Sequence, residues 1–136
     1  MSVAGNGTTA SLAVPHSRAS VSVVRHAFAD RLVDSGVAPP DREDAVLVLS
    51  ELVSNAIKHA APLPTGEIRV RWAIEDGCVH VEITDGGAMT RPHAGVAAVS
   101  ALGGRGLDIV RHVSSQWGVT ESPDSGTVWA EVPRTS

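Results

Sequence analysis

The sequence has little of what several classes of protein require. Cys78 is the single cysteine among 136 residues, which excludes an internal disulfide and a metal site built on several thiolates. No apolar run approaches the roughly 20 residues needed to span a bilayer. The amino-terminal stretch also lacks the basic start and continuous apolar segment of a secretory signal. We therefore expect a cytoplasmic protein without membrane segments, in which Cys78 packs within a strand.

The charge balance argues against direct nucleic-acid binding. The formal net charge is −4, whereas neutralising phosphates takes a clustered excess of Lys and Arg. With 43% hydrophobic and 19% charged residues, the composition is globular, and the length suits one domain with its own core. We predict a disordered tail at residues 1–10 and a single domain over residues 11–134.

Hydrophobic periodicity predicts two helices in the first half of the chain. The first extends from Arg18 to about Ser35 and has apolar residues at spacings of three and four. These are Val21, Val24, Phe28, Leu32 and Val33. The second extends from an N-cap at Asp41 to about Ala60. Its predicted buried stripe consists of Ala45, Leu49, Leu52, Ala56 and Ala60.

Alternating apolar and polar residues predict strands before and after these helices. A short strand is expected at 11–14, and two longer ones at 68–74 and 79–84, joined by a tight turn at Asp76-Gly77. The remaining predicted elements are a loop at 86–102, a helix at 104–115 and strands at 117–121 and 127–132. This order indicates a two-layer α/β sandwich with helices on one face of the sheet.

Three short patterns contain residues that are suited to ligand binding or catalysis. Glu51 and Asn55 are four residues apart on the second helix and so share a face, where two oxygen donors suit Mg²⁺ and an activated hydroxyl. A solvated helix face is the ordinary alternative. Asp85 falls on the core-facing side at the end of a strand, and Gly86 and Gly87 after it allow a ligand to approach the backbone. A simple Asp-Gly turn is equally compatible with this second pattern.

The third pattern is the glycine-rich stretch at residues 103–107, which opens the third predicted helix. Free amides at a helix start, reinforced by the helix dipole, bind phosphate. Glycine at a helix entry often serves only to turn the chain, so this pattern alone is weak. The order of the three patterns is more specific than any one of them.

These segments resemble the conserved boxes of the GHKL ATPases. ELVSNAIKHA resembles the N box, VEITDGG the first glycine box, GGRGLDIV the second, and Gly126-Thr127 the closing Gly-Thr element. The resemblance extends over residues 18–132 and is nearest to short stand-alone ATP-binding proteins similar to anti-sigma-factor serine kinases of actinobacterial type. It implies the Bergerat fold, a mixed, mostly antiparallel sheet with about three helices on one face.

The resemblance also implies a role for each matching residue, with ATP and Mg²⁺ as ligands. Glu51 would be the general base, Asn55 would hold the metal, and Asp85 would accept from the adenine amino group. The remaining nucleotide-binding residues would be Gly87 and Thr127 at the adenine, and Gly104, Arg105, Gly106 and Leu107 at the phosphates.

The function implied is that of an anti-sigma factor that phosphorylates a serine or threonine on an antagonist protein of the STAS type. Histidine kinases and gyrase-like enzymes need further domains that 136 residues cannot hold. A homodimer through the first helix is left open, because the apolar face of that helix equally suits the core.

Two alternatives remain at this stage. A non-catalytic module whose partner-binding surface responds to ATP is favoured by Ala88-Met89, which stand where the family has a second glycine, and by the short lid at 88–102. An interaction domain that has lost nucleotide binding is disfavoured by Asp85 and Asn55. The six histidines show no paired metal-ligand spacing and are predicted to be surface or edge residues, although His59 could border the phosphates.

Overall fold

A computed structural model describes residues 8–87 and 104–135 of the protein. Its helices and strands lie close to the predicted ones. In chain order they are β1 (Thr9–Pro15), α1 (Ala19–Asp34), α2 (Pro39–His59), β2 (Glu67–Ile74), β3 (Cys78–Asp85), α3 (Gly104–Val113), β4 (Gln116–Ser122) and β5 (Ser125–Pro133). The predicted lid at 88–102, Gly103 and most of the predicted tail lie outside the described residues.

The five strands form one sheet in the order β1-β2-β3-β5-β4. Every neighbouring pair is antiparallel, where a mixed, mostly antiparallel sheet was predicted. The three helices of the described chain cover one face, so the predicted two-layer sandwich is confirmed. None of these helices is long and apolar enough to cross a membrane.

The core lies between the sheet and the helices, and strict alternation along the strands builds it. Ile68, Val70, Trp72 and Ile74 of β2 are all buried, and the residues between them are not. Trp72 packs against Phe28 of α1, with ring centroids 4.9 Å apart, an offset arrangement that aromatic pairs favour. The predicted stripe of α2 is buried throughout, whereas Val33 of α1 is 56% exposed.

The start of α2 differs from the prediction. Asp41 is not the N-cap, because the helix begins at Pro39 and the extended Ala38 caps it. Two consecutive prolines supply this start: a proline restricts the residue before it to extended backbone and lacks the N–H that the first turn leaves unpaired.

Asp41 has a long-range partner instead. It is only 2% exposed, and one of its carboxylate oxygens accepts the Thr135 N–H at 2.9 Å. The Thr135 hydroxyl donates to the same carboxylate at 3.1 Å. The carboxylate therefore ties the carboxy-terminal segment, which follows β5, to the first turn of α2.

We expect Asp41→Ala to lower the free energy of unfolding by about 1–3 kcal/mol, because the substitution removes the charged acceptor of the Thr135 N–H and hydroxyl. Asp44→Ala, at an exposed position of the same helix, should change it by no more than about 0.5 kcal/mol. Urea denaturation followed by circular dichroism measures both. Equal effects of the two substitutions would contradict the role of the Thr135 contact.

Candidate functional site

Asp85 is the last residue of β3, and its side chain points toward the helix layer. It is 5% exposed, on the same side of the strand as Val81 and Ile83, as the alternation predicted. Its Oδ1 atom accepts the Gly87 N–H at 2.8 Å. A carboxylate offers about four lone-pair positions, so this one bond leaves acceptor capacity for a ligand.

Backbone hydrogen bonds join the residues after Asp85 to the segment that follows α2. Gly86 N–H donates to the Ala61 carbonyl, and Ala61 N–H donates to the Gly87 carbonyl, both at 2.8 Å. A Cβ atom at Gly86 would collide with the Pro62 carbonyl oxygen. Gly86 therefore allows the end of β3 to lie directly against the end of α2.

Glycines also surround Asp85 on two sides. Gly87 is buried and has φ of 101°, a backbone conformation that favours glycine. In the neighbouring strand, Gly126 is the residue paired with Asp85, and a Cβ atom there would lie 3.2 Å from Oδ1 of Asp85. Neither glycine has a side chain that could cover the carboxylate.

Burial raises the pKa of Asp85 to about 6. The Gly87 N–H and the nearby His16 lower it, and Glu121 of β4 raises it further. Buried carboxyl groups with strongly perturbed pKa values concentrate at functional sites, because their desolvation is otherwise an uncompensated cost to folding.

Glu51 and Asn55 lie half-buried on α2, beside the buried Leu52, Val53 and Ala56. The Nδ2 atom of Asn55 is buried and has no hydrogen-bond partner among the described residues. A buried polar atom of this kind usually has a ligand or a water molecule as its hydrogen-bond partner. Ala60 is five positions after Asn55, about 7–8 Å along the helix axis, so Asn55 lies near the helix end, which is followed by the segment that contacts Gly86 and Gly87.

The side-chain oxygen atoms of Glu51 and Asn55 fit a Mg²⁺ ion that is also bound by phosphates. Glu51 and Asn55 offer the oxygen ligands that Mg²⁺ prefers. Within residues 8–87 and 104–135, no group of three or more His, Cys, Asp or Glu side chains could hold a metal ion. A cation at Asn55 would therefore take its remaining ligands from phosphate oxygens and water.

The predicted phosphate-binding residues lie at the start of α3. The first turn of this helix comprises Gly104, Arg105, Gly106 and Leu107, and α3 packs against α2. The helix start therefore belongs to the same layer as Glu51 and Asn55. The predicted contributions of the Arg105 and Leu107 side chains lie outside the described part of the structure.

Thr127 is not brought together with Asp85. It pairs with Thr84, and the two hydroxyl oxygens are 2.9 Å apart. Successive side chains of a strand point to opposite faces, so Thr127 lies on the outer face of the sheet while Asp85 faces the helices. Gly126 occupies the place beside Asp85 instead.

His16 contacts the site region, although its sequence context predicts only a surface or edge position. Its Nε2 atom lies 2.7 Å from the carbonyl oxygen of Ala60 and 3.2 Å from that of Ala56. These partners are 44 and 40 residues away in the chain. Its position after a proline at the end of a strand carried no signal of such a contact.

The raised pKa of Asp85 predicts a pH-dependent stability. Between about pH 4 and pH 6 the folded protein keeps a proton on Asp85 that the unfolded chain has lost, so the free energy of unfolding should fall as the pH rises through this window. Asp85→Asn should remove that part of the slope, and Asp124→Asn, in an exposed turn, should not. Urea unfolding at pH 4, 5, 6 and 7 measures the slopes. Identical slopes in wild type and Asp85→Asn would refute the assignment.

Comparisons with known proteins agree with this geometry. The sequence profile of the histidine kinase-like ATPase domain matches residues 14–131, whereas no curated protein matches.

Among solved structures, the fold is similar to that of the RsbU and RsbW domains of Rv1364c from Mycobacterium tuberculosis, with a TM-score of 0.65 and 21% sequence identity. That match covers 93% of this chain and 33% of the other. At this identity it establishes a shared fold. The chain belongs to the histidine kinase-like ATPase domain family, for which ATP is the nucleotide.

Proposed function

We propose that the protein is a cytoplasmic anti-sigma factor that binds Mg²⁺·ATP and phosphorylates a serine or threonine of an antagonist protein. The observation that carries the proposal is the buried carboxylate of Asp85, flanked by Gly87 and Gly126. The backbone of Gly86 and Gly87 is hydrogen-bonded to Ala61, which follows the helix that bears Glu51 and Asn55. This arrangement supplies a hydrogen-bond acceptor for a purine base, and oxygen ligands for a cation that also binds the phosphates.

The adenine end is organised by Asp85. Its ionised carboxylate accepts a hydrogen bond from the exocyclic amino group, and the absence of side chains at Gly87 and Gly126 lets the flat base approach. Guanine carries a carbonyl oxygen at the corresponding position, which would face the carboxylate without a proton between them. Asp85 therefore favours adenine over guanine.

The phosphate end is organised by Asn55 and the first turn of α3. Asn55 would hold the cation through its amide oxygen, and the amides of Gly104 and Gly106 would bind phosphate oxygens, with Arg105 adding positive charge. When bound, ATP would supply the phosphoryl group and Mg²⁺ would neutralise part of the negative charge of the phosphates.

Glu51 acts on the acceptor. It lies one helical turn before Asn55, on the same face of α2. From there its carboxylate orients the hydroxyl of the partner protein and accepts its proton during phosphoryl transfer. This is the step that separates a kinase from an ATP-responsive binding module, because binding alone does not need a general base.

The partners proposed are a sigma factor and a STAS-type antagonist, as the sequence resemblance implies. The shared fold with the RsbU and RsbW domains supports a regulatory role, although this chain spans only a third of that protein's solved chain. In such a role the nucleotide-bound form holds the sigma factor, and the phosphorylation state of the antagonist decides whether the sigma factor is released.

Titration calorimetry with Mg·ATP tests the nucleotide site. We expect saturable binding to the wild type and a loss of about tenfold to a hundredfold in affinity for Asp85→Asn, the equivalent of one charged hydrogen bond. Asp124→Asn is the matched control and should bind as the wild type does. Absence of binding to the wild type would overturn the proposal in favour of a nucleotide-free interaction domain.

Phosphoryl transfer is tested separately, with radiolabelled ATP and purified STAS-type proteins from the same organism. Glu51→Ala should bind ATP with nearly unchanged affinity but transfer phosphate about 100-fold or more slowly, because a general base is lost. Glu43→Ala, at an exposed position of the same helix, should leave transfer intact. Binding without transfer in the wild type would identify a non-catalytic module, and unimpaired transfer in Glu51→Ala would contradict the role of Glu51.

A further inference from the structure

His16 connects the start of α1 to the end of α2. Its Nε2 atom is within hydrogen-bond distance of two carbonyl oxygens, at 2.7 Å from Ala60 and 3.2 Å from Ala56. Because carbonyl oxygens only accept, Nε2 must carry the hydrogen. The imidazole therefore donates to the last turn of α2.

The end of α2 lacks the usual means of satisfying its terminal carbonyls. Helices commonly end in a left-handed glycine whose backbone N–H groups turn back onto these carbonyls. Here Ala60 is extended, with φ of −118° and ψ of 157°, and Ala61 and Pro62 follow it. The His16 side chain supplies a different contact: it donates to the carbonyl of the C-cap residue Ala60 and lies near that of Ala56, which also accepts from the Ala60 N–H.

His16 is itself held in place by its neighbours. Its own N–H donates to the Gly66 carbonyl at 3.1 Å, and the Ser20 hydroxyl donates to the Pro15 carbonyl at 2.7 Å. The half-buried imidazole thus projects from a turn that is fixed to both β1 and α1. A side chain anchored in this way can define the position of the helix end that it contacts.

A short path of hydrogen bonds leads from His16 to Asp85. Ala60 accepts from His16, and the next residue, Ala61, exchanges two backbone hydrogen bonds with Gly86 and Gly87. The Gly87 N–H in turn holds Oδ1 of Asp85. His16 also lies close enough to Asp85 to interact with its charge. Displacement of Ala60 and Ala61 would therefore move the backbone that orients the carboxylate.

We propose that His16 is a positioning residue for Asp85: by holding the end of α2, it sets the orientation of the carboxylate that selects adenine over guanine. This inference rests on the proposed nucleotide-binding function and adds a residue that contacts no nucleotide itself. It predicts that loss of the Nε2–H donor weakens adenine selectivity, whereas a change of the imidazole that keeps a donor at this position does not.

The experiment compares three variants with the wild type. His16→Leu removes the donor, His16→Gln keeps an N–H near the position of Nε2, and His26→Leu replaces an exposed histidine of α1 as the control. Amide hydrogen exchange, followed by NMR, reports the backbone bonds of Ala61 and Gly86 without any ligand. Calorimetry with Mg·ATP and Mg·GTP reports the ratio of their dissociation constants.

We expect His16→Leu to speed exchange at Ala61 and Gly86 by about tenfold, roughly the loss of one hydrogen bond, with little change at the β2 amides. The preference for ATP over GTP should fall by a similar factor. His16→Gln should restore both properties, and His26→Leu should alter neither. General destabilisation would instead speed exchange everywhere and leave the nucleotide ratio unchanged.

Two results would overturn the inference. One is unchanged or uniformly faster exchange in His16→Leu, and the other is an unchanged ATP-to-GTP ratio despite faster local exchange. If the wild type binds neither nucleotide, the proposed function fails. The anchoring of the Asp85 segment by His16 is then decided by the exchange measurement alone.

Discussion

The site depends on the pair of backbone hydrogen bonds between Ala61 and the glycines that follow Asp85. These bonds join the end of α2 to the end of β3, two elements that are separated in the chain by the whole β2–β3 hairpin. They join the strand that ends in Asp85, the proposed adenine acceptor, to the helix that carries Glu51 and Asn55. The contact is possible only because Gly86 has no side chain.

A buried carboxylate in this position conflicts with stability. Asp85 is buried at the edge of an otherwise apolar layer, and the resulting rise of its pKa shows that the folded protein holds the charged form less readily than water does. One backbone N–H, from Gly87, offsets part of this cost. Unfavourable groups of this kind persist in proteins chiefly at functional sites, where a ligand supplies the missing interaction.

The two faces of the sheet have different roles. The helix-facing side carries the core and Asp85, whereas the outer side carries polar side chains that pair with one another. On that side His80 lies between Glu82 and Glu131, and its ring stacks on that of Trp129. Exposed and partly exposed ion pairs contribute little to stability, so most of the stabilisation by the sheet comes from its helix-facing side.

The fold was largely predictable because its signals are local. Alternation in β2 and β3, the apolar spacing of α1 and α2, and the Asp76-Gly77 turn depend on residues close together in the chain. The same alternation placed Asp85 on the buried side of its strand. The four motifs in order identified the family before any contact was known.

The sequence alone therefore determined the elements and the family, and it indicated the residues that are proposed to bind a nucleotide, because periodicity and motif spacing are properties of short segments. Only the tertiary structure decided how those residues meet. It placed Thr127 on the opposite face of the sheet from Asp85, gave Asp41 a partner in Thr135 in place of a capping role, and joined His16 to the end of α2. Each of these contacts links residues some 40 or more positions apart, or depends on the register of two strands, and no local pattern encodes either.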